Sequence, residues 1–230
     1  GIYSFNIDDA AGCNIVGSVE IQQPDLLVIE DSITDVTCFG LSNGIVDITP
    51  EGGTSPYVYK WYNSKFTLSS QVQDLVNFPK DIYRVEVTDS LGCFKEHYVT
   101  LPEPDSLSLT YTPIHVTCNG GTDASIDLEV SGGNPAYSYQ WNNGSVSQDL
   151  TGISFGSYSV TVCDLKLCKD SLTVNITQPK AVEMTFGITE VTCIDQSDGK
   201  ASAYATGGTG VYSYLWSTGS TDSDIEKLLG

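Results

Sequence analysis

Basic residues are scarce in this chain. Ten lysines and arginines stand against 29 aspartates and glutamates, giving a net charge of −19 over 230 residues. Nucleic acid and anionic membrane surfaces are held by clustered Lys and Arg, so this balance argues against both as partners. Histidine is scarcer still, with only His97 and His115, and both read as solvated strand residues. No Gly-x-Ser-x-Gly elbow, His-Glu-x-x-His motif or phosphate loop occurs, so the usual groups for catalysis are missing. No apolar run reaches the 18 residues or so that a membrane helix needs, and this segment is not expected to insert. Helical periodicity is confined to one candidate turn at Asp224–Leu229. No signal-peptide pattern opens the chain, as expected of an internal segment.

What is present is repetition, the first signal to settle in any sequence. The stretch VTCNGGTDASIDLEVSGGNPAYSYQW, Val116 to Trp141, has counterparts at Val36 to Trp61 and Val191 to Trp216. Each copy places a Gly-Gly pair 14 residues after its cysteine, starting at Gly52, Gly132 and Gly207. Each then carries Tyr-x-Tyr-x-Trp, ending at Trp61, Trp141 and Trp216. A second block recurs between them, as GIYSFNIDDAAGC at Gly1, DIYRVEVTDSLGC at Asp81 and GSYSVTVCDLKLC at Gly156. Gly230 stands at the position of Gly156, so the pattern is in the same phase at both ends, as in an excerpt from a longer array.

The alternation within each repeat predicts strands. The segment before each cysteine alternates β-branched and apolar residues, with Pro113 expected to break the second copy in two. SIDLEV puts Ile126, Leu128 and Val130 on one face, where the third copy has only Ala201, Ala203 and Ala205, a thinner core. The Tyr-x-Tyr-x-Trp strand puts its aromatics on one face. They are either core or a platform on which a sugar stacks, and the polar opposite face favours core. SVSQDLTGI reads as one short strand. Gly-x-Tyr-x-Val-x-Val then buries Tyr83 or Tyr158, like the penultimate strand of immunoglobulin-like sandwiches. The closing strand ends at Gln23-Pro24, Glu103-Pro104 or Gln178-Pro179, which are natural linkers.

The expected fold is all-β, a tandem array of small immunoglobulin-like or fibronectin-like β-sandwich domains of about 75–80 residues, a size at which staples are needed. Residues 1–24 read as the end of a preceding repeat, 25–104 and 105–179 as repeat domains, and 180–230 as a truncated one.

Six of seven cysteines recur at fixed repeat positions, which suits an oxidising, extracellular setting. Two pairings compete. Within a repeat, Cys38 joins Cys93 and Cys118 joins Cys168, leaving Cys13 and Cys193 without partners here. Across repeats, Cys13–Cys38, Cys93–Cys118 and Cys168–Cys193 are each 25 apart. Four antiparallel strands counted from the VTC turn to the second cysteine return the chain to the same pole, which favours the first pairing. The odd cysteine, Cys163, is either free or paired locally with Cys168. Calcium is a weak candidate ligand, through Asp195 and Asp198 or through Asp8 and Asp9. The shared position of Asp9, Asp89 and Asp164 is equally explained by an Asx turn, with no metal. No other cofactor is expected.

The composite of VTC, Gly-Gly, Tyr-x-Tyr-x-Trp, Gly-x-Tyr-x-Val-x-Val-x-Asp-x-x-Gly-Cys and Gln-Pro resembles the SprB repeat family, known from gliding-motility adhesins of Bacteroidota. The resemblance covers the whole chain. Asp81 and Leu167 each replace a glycine of the pattern, and Gly210-Val211 replaces a Pro-Tyr type approach. The resemblance implies a non-catalytic segment of a long surface filament, exported by the type IX route and moved along the cell by the motility machinery. Its expected partners are external surfaces or polysaccharide, with outer-membrane motor components reached through other parts of the chain. The resemblance also implies O-glycans at Asp-Ser-aliphatic triplets, here Ser32, Ser90, Ser106 and Ser171. A carbohydrate-binding array, or a passive spacer in a secreted enzyme, remain alternatives. Burial of the tryptophans separates the first alternative from the adhesin reading.

Overall fold

The computed structural model describes residues 1–229. Gly230, matched by sequence to Gly156, lies outside them. Among the described residues every regular element is a strand. The chain divides into two compact units, Gly1–Ser106 and Leu107–Gly230.

The first unit opens with a hairpin of β1 (Ile2–Asp8) and β2 (Asn14–Glu20), in register from Ile2↔Glu20 to Asp8↔Asn14. Tyr3, Phe5 and Ile7 are all exposed. The same pattern one repeat later, Tyr83, Val85 and Val87, is no more than 2% exposed. The difference lies in what faces the strand, because an isolated two-stranded hairpin has nothing against which to bury a side.

That second sheet exists in the repeat that follows. It comprises β3 (Val28–Thr34), β4 (Gly44–Glu51), β5 (Val58–Tyr62), β6 (Leu68–Ser70), β7 (Leu75–Phe78), β8 (Asp81–Thr88) and β9 (Phe94–Leu101). They form two sheets, β3-β4-β7 and β6-β5-β8-β9. Alternate residues point between the sheets: Val46 and Ile48 from β4, Trp61 from β5, Leu75 from β7, the β8 triplet, and Val99 and Leu101 from β9. This is a sandwich of the immunoglobulin and fibronectin kind. Its tyrosine corner is present, with the Tyr83 hydroxyl donating to Pro79 O at 2.9 Å.

The second unit repeats the plan with β10 (Ser108–Ile114), β11 (Ala124–Ser131), β12 (Ser138–Trp141), β13 (Leu150–Ile153), β14 (Gly156–Cys163) and β15 (Lys169–Ile176). The sheets are β10-β11-β13 and β12-β14-β15, around a core that includes Ile126, Leu128, Trp141, Val160, Val162 and Val174. Tyr158 is half-buried and donates to Ser154 O at 3.0 Å. Pro113 does not break β10. It pairs with Ile126 on the edge strand of its sheet, where a missing N–H costs no ladder bond.

The third copy forms one sheet, from β16 (Glu183–Thr189), β17 (Gly199–Thr206) and β18 (Asp224–Leu228). The expected helical turn at Asp224 is therefore a strand, held by Ile225 opposite Ala201. Tyr212 to Trp216 form no strand. In the earlier copies this segment pairs with β8 or β14, and among the described residues the third copy has no such strand. Trp216 is consequently half-exposed, although Nε1 still donates to Asp222 O at 2.7 Å.

The Gly-Gly pairs recur for a steric reason. Gly52 has φ +74°, and a Cβ there would lie 2.2 Å from Leu26 O; at Gly207 the distance to Ala181 O would be 1.9 Å.

Each complete repeat has a leading and a trailing pole. At the leading pole of the first, Gly53 N–H donates to Asp25 O at 2.8 Å, and Ser90 N–H donates to Thr54 O at 2.9 Å. At the trailing pole, Val36 N–H donates to Pro102 O at 3.1 Å, and Gly40 N–H donates to Glu103 Oε2 at 2.8 Å. The chain therefore enters at one end and leaves at the other. The stretch expected as one strand makes two passes, β6 then β7, which turns an even count into an odd one.

Truncating a buried tryptophan removes the largest side chain of its core. Trp141→Ala is expected to destabilise the second repeat by about 3–5 kcal/mol in urea unfolding, whereas Trp216→Ala, already half-exposed, is expected to cost clearly less.

Candidate functional site

The chemistry-bearing residues gather at the two poles. At the leading pole sits the hairpin aspartate. Asp89 Oδ1 accepts the N–H groups of Leu91 at 3.0 Å and Cys93 at 2.8 Å, an Asx turn. Its Oδ2 accepts Thr54 N–H at 3.0 Å, which ties the hairpin to the Gly-Gly turn. Asp164 repeats this with Lys166, Cys168 and Asn134, and Asn134 Nδ2 adds a bond at 3.0 Å. Both carboxylates are buried, at 4% and 3% exposure. Burial pushes their pKa values up, but the converging donors outweigh it and hold both carboxyls below the usual aspartate value. Asp9 makes the same turn in the exposed hairpin, with Ala11 and Cys13.

The trailing pole is organised by the residue five after the VTC cysteine. Asp198 accepts Thr192 N–H at 3.1 Å and the Thr192 hydroxyl at 2.6 Å. Asp123 does the same for Thr117, and Asn43 pairs with Thr37. An asparagine serves in the first copy, so the position acts as a turn clip rather than by its charge. Both Asp198 oxygens are engaged by Thr192, and Asp195 lies apart at φ +65°. Among the described residues no three His, Cys, Asp or Glu side chains gather as a metal site.

Sequence reading missed a further contact here. Glu103 and Gln178, which precede the linker prolines, cap the turn by accepting the N–H of Gly40 at 2.8 Å and Gly120 at 2.7 Å. The signal lies in the recurrence of Gln23, Glu103 and Gln178 immediately before the linker prolines.

The cysteines depart from both expected schemes. Cys38 and Cys168 are disulfide-bonded. Cys13, Cys93, Cys118, Cys163 and Cys193 carry free thiols. Neither Cys38–Cys93 nor Cys118–Cys168 forms, because the odd number of passes puts the VTC turn and the hairpin cysteine of one repeat at opposite poles. The 25-residue pairings fail as well, since each includes a free thiol. Cys163 ends β14 and does not join Cys168.

Trp61 and Trp141 are 0% and 1% exposed, with their Nε1 atoms donating to Val72 O and Ser147 O. Neither offers a face to a sugar. Ser32, Ser90, Ser106 and Ser171 are all exposed. His97 Nε2 lies 2.6 Å from Asp31 Oδ1, and His115 Nδ1 accepts Thr177 N–H at 3.2 Å. The two histidines lie in separate repeats, and each has a local partner.

The sequence profile of the SprB repeat matches residues 31–66, 110–146 and 185–221, once in each copy. The chain carries three repeats of the SprB family. SprB repeat proteins are cell-surface proteins, and disulfide-bonded cysteines fit an extracellular setting. None of the curated proteins matches the chain. Among solved structures, an amphioxus IgVJ-C2 molecule matches with 16% identity and a TM-score of 0.27, over 65% of this chain and 97% of that one. A structure titled for Dscam isoform specificity matches at 12% identity and TM-score 0.26, over 100% of this chain and 73% of that one. At TM-scores this low the likenesses carry no argument, and the sandwich assignment rests on the sheets of the SprB repeats themselves.

Because the folded-state pKa of Asp164 is depressed, its contribution to stability is present above the ordinary value of 3.8 and is lost as pH falls through the lower folded value. Asp164→Asn is expected to lower the urea midpoint at pH 7 by about 0.5–1 M. The gap from the unaltered chain should close below pH 3.8. A gap that persists at pH 2 would show that the charge is not what matters.

Proposed function

We propose that this chain is a non-catalytic, load-bearing segment of a cell-surface adhesin filament, gripping the substratum and moved by a gliding-motility machinery. The observation that carries the reading is the polarity of each complete SprB repeat. The chain enters a sandwich at Asp25 and leaves it at Pro102, bonded to opposite poles. A module with its ends at opposite poles is suited to serial arrangement under tension. The two histidines serve local contacts, His97 with Asp31 and His115 with Thr177.

The carbohydrate-array alternative loses its main support with Trp61 and Trp141 in the core. The partners under this proposal are external surfaces or polysaccharide, with motor components engaged elsewhere on the filament.

The adhesive part is tested with beads carrying the purified chain, held against bare and polysaccharide-coated glass under flow. Retention above that of an acidic immunoglobulin-type control is expected, unaffected by calcium chelation. Retention equal to the control would remove the grip from this segment and leave it the role of a stalk. The exposed serines of the Asp-Ser-aliphatic triplets, Ser32, Ser90, Ser106 and Ser171, are proposed as glycan sites. Material from a native source should then exceed the mass of its bare polypeptide, and equality of the two would rule the sites out.

A further inference from the structure

The two complete repeats share one sandwich but differ on one face of it. In the first, the sheet β6-β5-β8-β9 turns Trp61, Val85 and Val99 inward, so Tyr62, Arg84 and Tyr98 point outward. The register sets Tyr62 opposite Arg84, and Arg84 opposite Tyr98. Leu68 extends this row onto β6. Arg84 stacks over the Tyr62 ring, 4.5 Å from its centroid, and its Nη1 donates to Glu96. The next row along the strands is Lys60, Glu86 and Glu96, with Lys60 Nζ 3.8 Å from Glu86 Oε1. Val58 and Phe94 stand beyond it, and Ile82 stands beyond the first row. The apolar members of this face, Val58, Leu68, Ile82, Phe94 and Tyr98, are all exposed.

The fold does not require this row. The second repeat has Asn142, Ser159 and Thr173 at the same places and builds the same sandwich. The hairpin of β1 and β2 has Ser4 opposite Ser18 there. The row is an addition to the repeat, and a concentrated exposed patch of this kind marks contact with another protein. Tyrosine, phenylalanine and arginine are also the residues that interface cores favour.

Charge identifies the partner. Half of the ten lysines and arginines lie between Lys60 and Lys95. The outward side of the other sheet carries Glu30, Asp47 and Glu51, and its strands hold no Lys or Arg. Two copies of a chain at −19 repel one another, and the repulsion is least where the signs balance. On this face Lys60 and Arg84 balance Glu86 and Glu96. The order of signs is also self-complementary, because Glu86 follows Arg84 on the same side of β8.

We propose that this face joins a second copy of the chain, sheet against sheet. A two-fold axis lying across the strands, between the rows of Arg84 and Glu86, sets Arg84 over the partner's Glu86 and Lys60 over the partner's Tyr62. By symmetry each contact occurs twice. The face spans about 15 Å across its four strands and about 20 Å along them, which is small for an interface, so the dimer is weak and reversible. It does not depend on whether the segment is adhesive.

The test is sedimentation equilibrium of the whole chain from about 10 μM to about 1 mM, with the free thiols alkylated so that no disulfide links copies. The average mass should rise from 24.7 kDa toward twice that value. A variant carrying the second repeat's residues, Tyr62→Asn, Arg84→Ser and Tyr98→Thr, should keep the strand signature in circular dichroism and stay monomeric. Arg84→Glu alone and Glu86→Arg alone each place like charges in contact, and each should weaken association roughly tenfold or more. Mixed together, these two variants have complementary charges at both contacts, and the mixture should dimerise. A chain that stays monomeric at every concentration would overturn the proposal and leave the face to a different partner. Dimers of the triple variant, single reversals that associate like the unaltered chain, or a mixture that stays monomeric would overturn it too.

Discussion

A β-sheet can bury one of its faces only against another layer, and everything in this chain follows from whether that layer is present. The strand that carries Tyr83, Val85 and Val87 is buried because β3, β4 and β7 lie across from it. The equivalent strand in the first hairpin has the same alternation and is exposed throughout. Among its described residues the third copy shows the converse, a first sheet without a second. Its tryptophan keeps the indole hydrogen bond yet loses its enclosure. Local hydrogen bonding sets the conformation of each turn, but the pairing of sheets decides what becomes core.

With the interior apolar, the polar side chains that fix the turns lie at the ends of the repeat. The buried aspartates among them are tolerated because backbone donors saturate them. Each joins a hairpin to a Gly-Gly turn close to where the linker arrives. The trailing pole uses a Thr-to-Asp or Thr-to-Asn clip and a Glu or Gln that caps the same turn from beyond the last strand. The polar network thus fixes the position of both linkers relative to the sandwich, and it does so with side chains that recur from copy to copy.

Much of this was legible in the sequence, and the reason is locality. Alternation along SIDLEV and GSYSVTV reports which side of a strand faces inward, and Asp-x-x-Gly-Cys reports a turn whose donors lie within four residues. What escaped was parity. The reversal between Trp61 and Leu75, or Trp141 and Leu150, is made by short polar segments with no period, so one strand was expected where the chain passes twice. That miscount transferred each hairpin cysteine to the wrong pole and favoured the within-repeat pairings Cys38–Cys93 and Cys118–Cys168, whose Cys93 and Cys118 are free thiols. Pro113 misled in another way, because its effect depends on whether its strand lies at an edge, which neighbours along the chain do not reveal. The exposure of Trp216 likewise depends on strands distant in sequence.

The opposite placement of the two ends also sets how a repeat responds to pulling. In the first repeat β3 runs away from the leading pole, and so does β9, in the other sheet. A force drawn between Asp25 and Pro102 acts along both strands and across the bonds that join them to their neighbours. The seven-residue register from Val28↔Glu51 to Thr34↔Ile45 is then loaded all at once, in shear. Peeling would break such a ladder one bond at a time. Shear requires the whole ladder to slip together, so the resistance of each repeat grows with strand length rather than with the strength of its weakest bond.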